Sequence, residues 1–494
     1  MPSNIIPFYK NKNILLTGGT GFLGKMIIEK LLRTCDVNKI YVIVRPKKGL
    51  TPKERLQKLF EEPVFEKVRS SNIKKILILE GDLMEMNIGL SKKDEEIIKN
   101  EVNVVFHCGA FLNMDSKLHE AVITNVRGTL AILDLMKDAK NLNSLILVST
   151  AYSNCHESQI KEEFYGAPID PKFLIKLVDK LDENILKEIS SRLIGKWPNS
   201  YVFTKAVAES LLTSKEYDIP VALFRPAIVT PTAIEPISGW SDNLYGPLGI
   251  LLSAHCGILR VIRGDYNLKS HTVPGDMCIN ALLCFAWDLD RKWKSGKISP
   301  PVMNFSAKNT KLLIPMKQYI KLGMIDYAPF KKAIWYQMLF MIKNKYVYDF
   351  MKFLLHTIPA YLIDAMLIIS LRKPRMKKIY SQVDKTSNVL QYFLLREWGI
   401  DNDNVKELWS KLSTEDRIVF NFDIDSIDIE NYFRNMAICL KKFILKEDIT
   451  KLDLHRKRHD RLKILHYTLK YSLTGLAMYS IFRAVTRVSN RYKK

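Results

Sequence analysis

Ile14-Leu15-Leu16, then Thr17-Gly18-Gly19-Thr20-Gly21-Phe22-Leu23-Gly24, is the stretch on which the reading of the fold turns. Glycines 18, 21 and 24 give a G-x-x-G-x-x-G spacing that follows an apolar run and precedes an amphipathic segment. Such a strand-turn-helix needs glycine where the chain bends and where a pyrophosphate approaches the backbone. The last glycine lets the helix pack on the strand, and the helix N-terminus offers N–H groups and a positive dipole end. Gly18, Thr20, Gly21, Phe22, Leu23 and Gly24 are therefore expected to line a dinucleotide site.

Working outward, strand and helix signals alternate through the first half. Strands are expected at 13–17, 40–44, 76–80, 102–106, 144–149 and 220–224, and helices at 22–35, 119–140 and 199–217. That alternation predicts an α/β fold, a Rossmann-like doubly wound parallel sheet with a lysine-rich insertion at 46–74. Beyond 226 the pattern loosens into turns, then an apolar stretch, then helical periodicity. The expected organisation is a Rossmann domain over 1–230, substrate-binding cap elements over 231–330 and an apolar membrane-associating segment over 331–379. A smaller helical C-terminal domain over 380–450 and a basic tail over 451–494 complete it.

Composition is globular across 494 residues, with 47% apolar and 26% charged side chains and a net charge of +23. Residues 441–494 hold 15 Lys+Arg against 4 Asp+Glu, nearly half of that excess. Nothing resembles a zinc finger or an RNP motif, so nucleic acid is not the expected partner; phosphate-rich cofactors and a membrane surface fit the charge better. The 7 cysteines form no C-x-x-C pair, which predicts reduced thiols, no disulfide framework and no metal site. No signal-peptide pattern opens the chain, and the first domain is expected in the cytosol. The segment 353–371 carries His356, Pro359 and Asp364, and 471–482 is uncharged for only 12 residues. Both suit helices lying in a membrane interface with basic flanks better than clean spans.

The second strand ends Val44-Arg45-Pro46-Lys47-Lys48, cationic where an NAD-selective site carries an acid. NADPH is the expected cofactor, with Arg45 as the main 2′-phosphate partner and Lys48 assisting. Asp82 and Leu83 follow the third strand, where the acidic turn either bonds the adenine amine or simply ends the strand. His107 reads as structural.

Tyr201 and Lys205 share a helix face at i and i+4 and are the expected catalytic pair, the cation lowering the tyrosine pKa. The same Y-x-x-x-K spacing recurs at Tyr327/Lys331 and Tyr348/Lys352. Only the first lies in the Rossmann region, near the Ser149-Thr150 end of the fifth strand. Alternation lets one of those two hydroxyls face the site, and Thr150, nearer the loop, is favoured. Asn125 either holds a relay water or is a helix-surface residue.

These residues together resemble the extended short-chain dehydrogenase/reductase superfamily and, more narrowly, an alcohol-forming fatty acyl-CoA reductase of the animal, especially arthropod, type. Thr17–Gly24, the Val-Arg-Pro-Lys-Lys-Gly strand end, Asn125–Thr129, Val148–Tyr152, Tyr201–Lys205, Arg225-Pro226 and the run Gly239–Pro247 carry the resemblance. Ile358–Ala360, Ile363-Asp364, Tyr392-Phe393, Glu397-Trp398, Ile427-Asp428 and Tyr432 extend it into the C-terminal half. Gly109, Ala227, Gly275 and Ile429 depart from the family pattern, which has alanine, serine, a larger apolar residue and tryptophan there.

The resemblance implies NADPH-dependent reduction of a long-chain fatty acyl-CoA, through an enzyme-held aldehyde, to a primary alcohol with release of CoA. It also implies an intracellular membrane, endoplasmic reticulum or peroxisome, with the catalytic domain facing the cytosol. The rival expectations are a membrane-associated reductase of another lipid carbonyl and a non-catalytic NADPH-binding scaffold.

Overall fold

The computed structural model describes every residue except 48, 115, 116, 297, 298, 326, 328, 493 and 494, and only the backbone of 487–492. The chain forms two compact units, each discontinuous in sequence. The first comprises Met1–Asn243, Asn267–Met316 and Asn388–Tyr432; the second comprises Leu244–Tyr266, Lys317–Ser387 and Phe433–Lys494.

The first unit is built on a seven-stranded sheet of β1 Asn13–Thr17, β2 Lys39–Val44, β3 Ile76–Glu80, β4 Val104–His107, β5 Ser144–Val148, β6 Val221–Pro226 and β7 Val302–Phe305. All pairings are parallel, in the spatial order β7-β6-β5-β4-β1-β2-β3. Every residue of β1, β4 and β5 is buried, as a sheet covered on both faces requires. The order reverses between β1 and β4, so a crevice opens at their carboxyl ends, the position where doubly wound sheets bind ligands. This is the Rossmann-like architecture expected from the alternating pattern, with a mainly helical C-terminal region.

Helices α1 Phe22–Thr34, α2 Pro52–Phe60, α3 Gly128–Met136, α4 Ser200–Ser210 and α5 Gly275–Lys294 flank the sheet. The expected helix over 119–140 is three pieces: Leu118–Val122, a π-helical turn at Ile123–Arg127, and α3. The stretch 231–330, expected to supply cap elements completing the reductase domain, contributes α5 and β7. Helix α5 buries nearly everything from Met277 to Leu289, so it packs as a core element.

The segment 388–432 also belongs to this unit, whereas a separate helical domain over 380–450 was expected. Gly399–Ile400 pairs in parallel with Gln159–Ile160. The Tyr392 hydroxyl and the Trp398 indole N–H both donate to the Cys155 carbonyl, at 3.2 and 3.0 Å. Phe393 and Trp398 meet Tyr152 edge-on, with centroids 5.5 and 5.3 Å away.

In the second unit, Lys345–Ile369 is the one helix among the described residues long and apolar enough to cross a membrane, by length and composition, with a mean hydropathy of 1.5 over its most apolar window. Phe350, Phe353, Tyr361, Leu362, Met366 and Ile369 on it are exposed. Asp364 caps the following helix: its carboxylate accepts the backbone N–H of Arg375, Met376 and Lys377, each at 2.9 Å. Those bonds hold its carboxyl below the usual carboxylate range. The last helix, Leu452–Tyr492, leaves Leu465, Leu469, Leu473 and Leu476 exposed.

Candidate active site

The glycine turn sits at the carboxyl end of β1. Gly18 has φ +72°, and a Cβ there would lie 2.8 Å from the Gly109 nitrogen. A Cβ on Gly24 would lie 2.3 Å from the Gly18 carbonyl oxygen, so the start of α1 presses directly on the turn. A Cβ on Gly21, by contrast, would meet only the Gly18 oxygen, at 3.3 Å. The concave side of the turn at the N-terminus of α1 is therefore open, the cradle a pyrophosphate needs.

A buried relay fixes this edge. The Gly109 N–H donates to Thr17 Oγ1 at 2.9 Å, and Thr129 Oγ1 donates to the Asn125 carbonyl at 2.7 Å. His107 lies between, with Nδ1 2.6 Å from Thr17 Oγ1 and Nε2 3.1 Å from Thr129 Oγ1. With both threonine oxygens so engaged, the consistent assignment is Thr17 donating to Nδ1 and Nε2–H donating to Thr129. Burial, with Lys205 adding to it, pushes the His107 pKa down to about 3, so the ring stays neutral and structural.

At the end of β2, Arg45 pairs with Asp82 at 3.0 Å, and Asp82 also accepts the Met84 N–H at 3.1 Å. Lys48 lies outside the described residues. A cation that the sequence reading missed stands here instead. Arg55, on α2, donates to the Arg45 carbonyl at 2.5 Å and to Thr20 Oγ1 at 3.1 Å. It bridges the strand end to the glycine turn. Its only sequence signal was the Thr51/Glu54 capping box, which starts α2 and turns Arg55 back toward the strand. Leu83 packs under Gly109, whose Cβ would lie 2.5 Å from a Leu83 methyl; an alanine there would have to displace it.

Helix α4 carries Tyr201 and Lys205. Lys205 Nζ donates to the Val148 carbonyl at 2.8 Å, bringing that helix face to the carboxyl end of β5. Burial lowers the Lys205 pKa to about 8, with Glu209 opposing. Tyr201 moves opposite to the expected direction: burial, with Glu209 adding to it, raises its pKa, and Lys205 does not offset this. Helical spacing supplied proximity but not the cost of desolvating a phenolate. At neutral pH the phenol keeps its proton.

The two hydroxyls after β5 separate. Ser149 Oγ donates to Glu209 at 2.5 Å inside a buried network, in which Glu209 also takes Arg225 Nη2 at 2.7 Å and Nε at 3.2 Å. Thr150 Oγ1 accepts the Tyr152 N–H at 3.2 Å, leaving its own proton to donate. Asn125 is 2% exposed and is no surface residue. Its Oδ1 accepts the Phe111 N–H at 2.7 Å, and its Nδ2 donates to Thr204 Oγ1 at 3.0 Å, tying the π-helical turn to α4. The other two Tyr-x-x-x-Lys pairs fall in the second unit.

The Gly239–Asn243 run, unassigned a role from sequence, is joined to the cofactor helix. Trp240 stacks on Phe22 with centroids 5.4 Å apart, and Asp242 pairs with Lys25 at 2.8 Å. Gly275 also abuts Phe22: a Cβ there would lie 2.8 Å from the ring, so the larger family residue has no room in this arrangement. Asp276 beside it accepts the backbone N–H of Ala233, Ile234 and Glu235 at 2.7 to 3.0 Å.

Comparison with known proteins gives the family and the fold. Residues 16–282 match an NAD-binding family model described as Male sterility protein, and residues 355–447 match a second, Sterile, with the same description. The chain is 40% identical over 486 residues to "Fatty acyl-CoA reductase wat" of Drosophila melanogaster, covering 96% of this chain and 93% of that one. It is 35% identical over 472 residues to "Fatty acyl-CoA reductase 1" of Mus musculus, covering 94% and 90%. Among solved structures, the terminal R domain from the myxalamid PKS-NRPS biosynthetic pathway superposes with a TM-score of 0.58 at 18% identity, covering 89% of this chain and 93% of that one. At that identity the likeness speaks for the fold alone.

Proposed function

The chain belongs to the fatty acyl-CoA reductase family and is an NAD(P)-dependent oxidoreductase, and from that premise we propose that it reduces a long-chain fatty acyl-CoA to the primary alcohol, releasing CoA. The observation that carries this reading is the Lys205–Val148 bond, which brings the Tyr201 helix to the strand end bearing Thr150, beside the open glycine turn.

When bound, NADPH supplies hydride to the carbonyl carbon. Tyr201 holds the proton on its phenol oxygen and passes it to the carbonyl oxygen; Thr150 donates a hydrogen bond to that oxygen as negative charge develops. The hydroxyl proton of the resulting hemithioacetal passes to the departing sulfur as the C–S bond breaks, giving the aldehyde and CoA thiol. A proton from solvent restores the Tyr201 phenol, and the aldehyde, held in the site, undergoes the same addition with hydride from a second NADPH. Lys205 gives one N–H to Val148 and keeps two for the nicotinamide ribose and Tyr201. Gly18, Thr20, Gly21, Phe22, Leu23 and Gly24 would cradle the pyrophosphate, Asp82 and Leu83 would flank the adenine, and Asn125 holds the loop at Phe111. Incubation with NADPH and a panel of acyl-CoA thioesters is expected to give fatty alcohol and free CoA; NADPH oxidation with no acyl-CoA dependence would favour another lipid carbonyl instead.

The cofactor preference follows from Arg45 and Arg55, two guanidiniums at the end of β2 suited to a 2′-phosphate. Removing a charge-assisted contact costs about 1.5–3 kcal/mol. Arg55→Ala is thus expected to raise the KM for NADPH roughly ten- to a hundredfold, with a much smaller effect on the KM for NADH. Equal losses with both cofactors would contradict the assignment.

The exposed apolar face of Lys345–Ile369 and the cations Arg372, Lys373, Arg375 and Lys377 just beyond it support association with a membrane surface, where acyl chains partition. We assign the protein to the endoplasmic reticulum or peroxisome, with the catalytic unit on the cytosolic side.

A further inference from the structure

Helix α4 begins at Asn199, whose backbone is extended and whose Oδ1 accepts the Val202 N–H at 3.1 Å. Because Val202 presents a donor, the atom facing it must be oxygen, which fixes the other end of the amide as the NH2 group. That Nδ2 is buried without a hydrogen-bond partner, on a residue 8% exposed. Aspartate would cap the helix equally well and strand no donor, and serine would cap it without an amide NH2. A buried amide N–H left unmade is destabilising. The fold therefore keeps a costly donor two residues before Tyr201.

Its surroundings point it to chemistry. Trp197, in the corner leading into the helix, donates its indole N–H to the Ser153 carbonyl at 2.6 Å. The Ser153 N–H donates to the Thr150 carbonyl at 3.1 Å, and the Tyr152 N–H to the Thr150 hydroxyl at 3.2 Å. The turn carrying Thr150 is thus bonded, through Trp197, to the corner that leads into Asn199, the N-cap of the 11-residue helix.

We propose that the Asn199 carboxamide is a third hydrogen-bond donor to the carbonyl oxygen under reduction, beside Tyr201 and Thr150. It donates a hydrogen bond only; the proton still comes from Tyr201. This rests on the reading of the site as a carbonyl reductase, and it adds a catalytic residue that acts on charge developing at the thioester or aldehyde oxygen.

Asn199→Ser and Asn199→Asp both keep the capping oxygen and remove the N–H donor, so they separate catalysis from helix stability. Asn199→Ser is expected to lower kcat/KM for acyl-CoA about 10²-fold, the size of a lost oxyanion donor. Asn199→Asp should lose more, because its carboxylate opposes the developing charge. The thermal midpoint should be no lower than the parent's in both, since each removes the stranded amide donor, and the NADPH dissociation constant, measured by fluorescence titration, should match the parent. Asn199→Ser turning over like the parent would overturn the proposal; should that variant fail to fold, Asn199→Asp with parent-like turnover does the same. Tyr201→Phe assayed alongside distinguishes the two levels. If it too is active, the carbonyl-reductase reading fails; if it is inactive while Asn199→Ser is active, only the role of Asn199 fails.

Discussion

Tyr201→Phe is expected to lower alcohol formation by about 10²- to 10⁴-fold, the usual contribution of a positioned general acid, while NADPH binding stays unchanged. The phenol ring packs as before in the variant, so the loss reports the hydroxyl alone. Burial raises the Tyr201 pKa, so the proton is in place throughout the neutral range. The limiting ionisation on the alkaline side is then that of Lys205, whose ammonium is held at about pH 8 by burial. Below that pH Lys205 is charged, and above it the charge is lost, so kcat/KM should fall as pH rises through about 8. Activity of the Tyr201→Phe enzyme within a fewfold of the parent would remove the phenol from the mechanism.

Glu209→Leu is expected to have the largest effect on stability. Arg225 is fully buried, and two of its nitrogens bond only to Glu209, while Nη1 reaches the carbonyls of Lys161 and Glu163. Removing one partner of such a pair costs about 3–5 kcal/mol, because the other charge stays buried and uncompensated. The double variant Glu209→Leu/Arg225→Leu should recover part of that loss, limited by the two carbonyls that then lack a donor. Thermal unfolding of the three variants measures this; a single variant as stable as the parent would contradict it. Glu209 also raises the Lys205 pKa, so its loss should move the alkaline limb of the rate profile to lower pH.

Most of what positions the site was legible in the chain. The glycine spacing identified the turn because its demands are local: a positive φ at Gly18 and a close approach at Gly24. The Tyr201/Lys205 face was legible because helical periodicity is short-range, whereas strand alternation says only that one of Ser149 and Thr150 faces the site, and Thr150 is favoured for its place nearer the loop. Features that depend on tertiary burial were not. Arg55 reads as one more charge in a lysine-rich insertion until α2 folds back over the strand end. Ser149 reads as a candidate donor until the buried Glu209–Arg225 pair takes its hydroxyl. Asn125 reads as either a holder of a relay water or a surface residue because nothing local marks the π-helical turn that buries it. The direction of the Tyr201 pKa failed for the same reason, since spacing along a helix carries no information about solvent. Likewise β7 lies in a stretch whose turns dominate its pattern, and 388–432 joins the first unit through aromatic contacts to Tyr152 that no periodicity encodes.

The most direct test of the central claim is the stoichiometry of a single acyl-CoA reaction followed to completion, with oxidised cofactor, free CoA thiol and lipid product quantified together. Two NADPH consumed for each CoA thiol and each alcohol formed is the predicted result. One NADPH per CoA with aldehyde accumulating, or NADPH oxidation without CoA release, would contradict it.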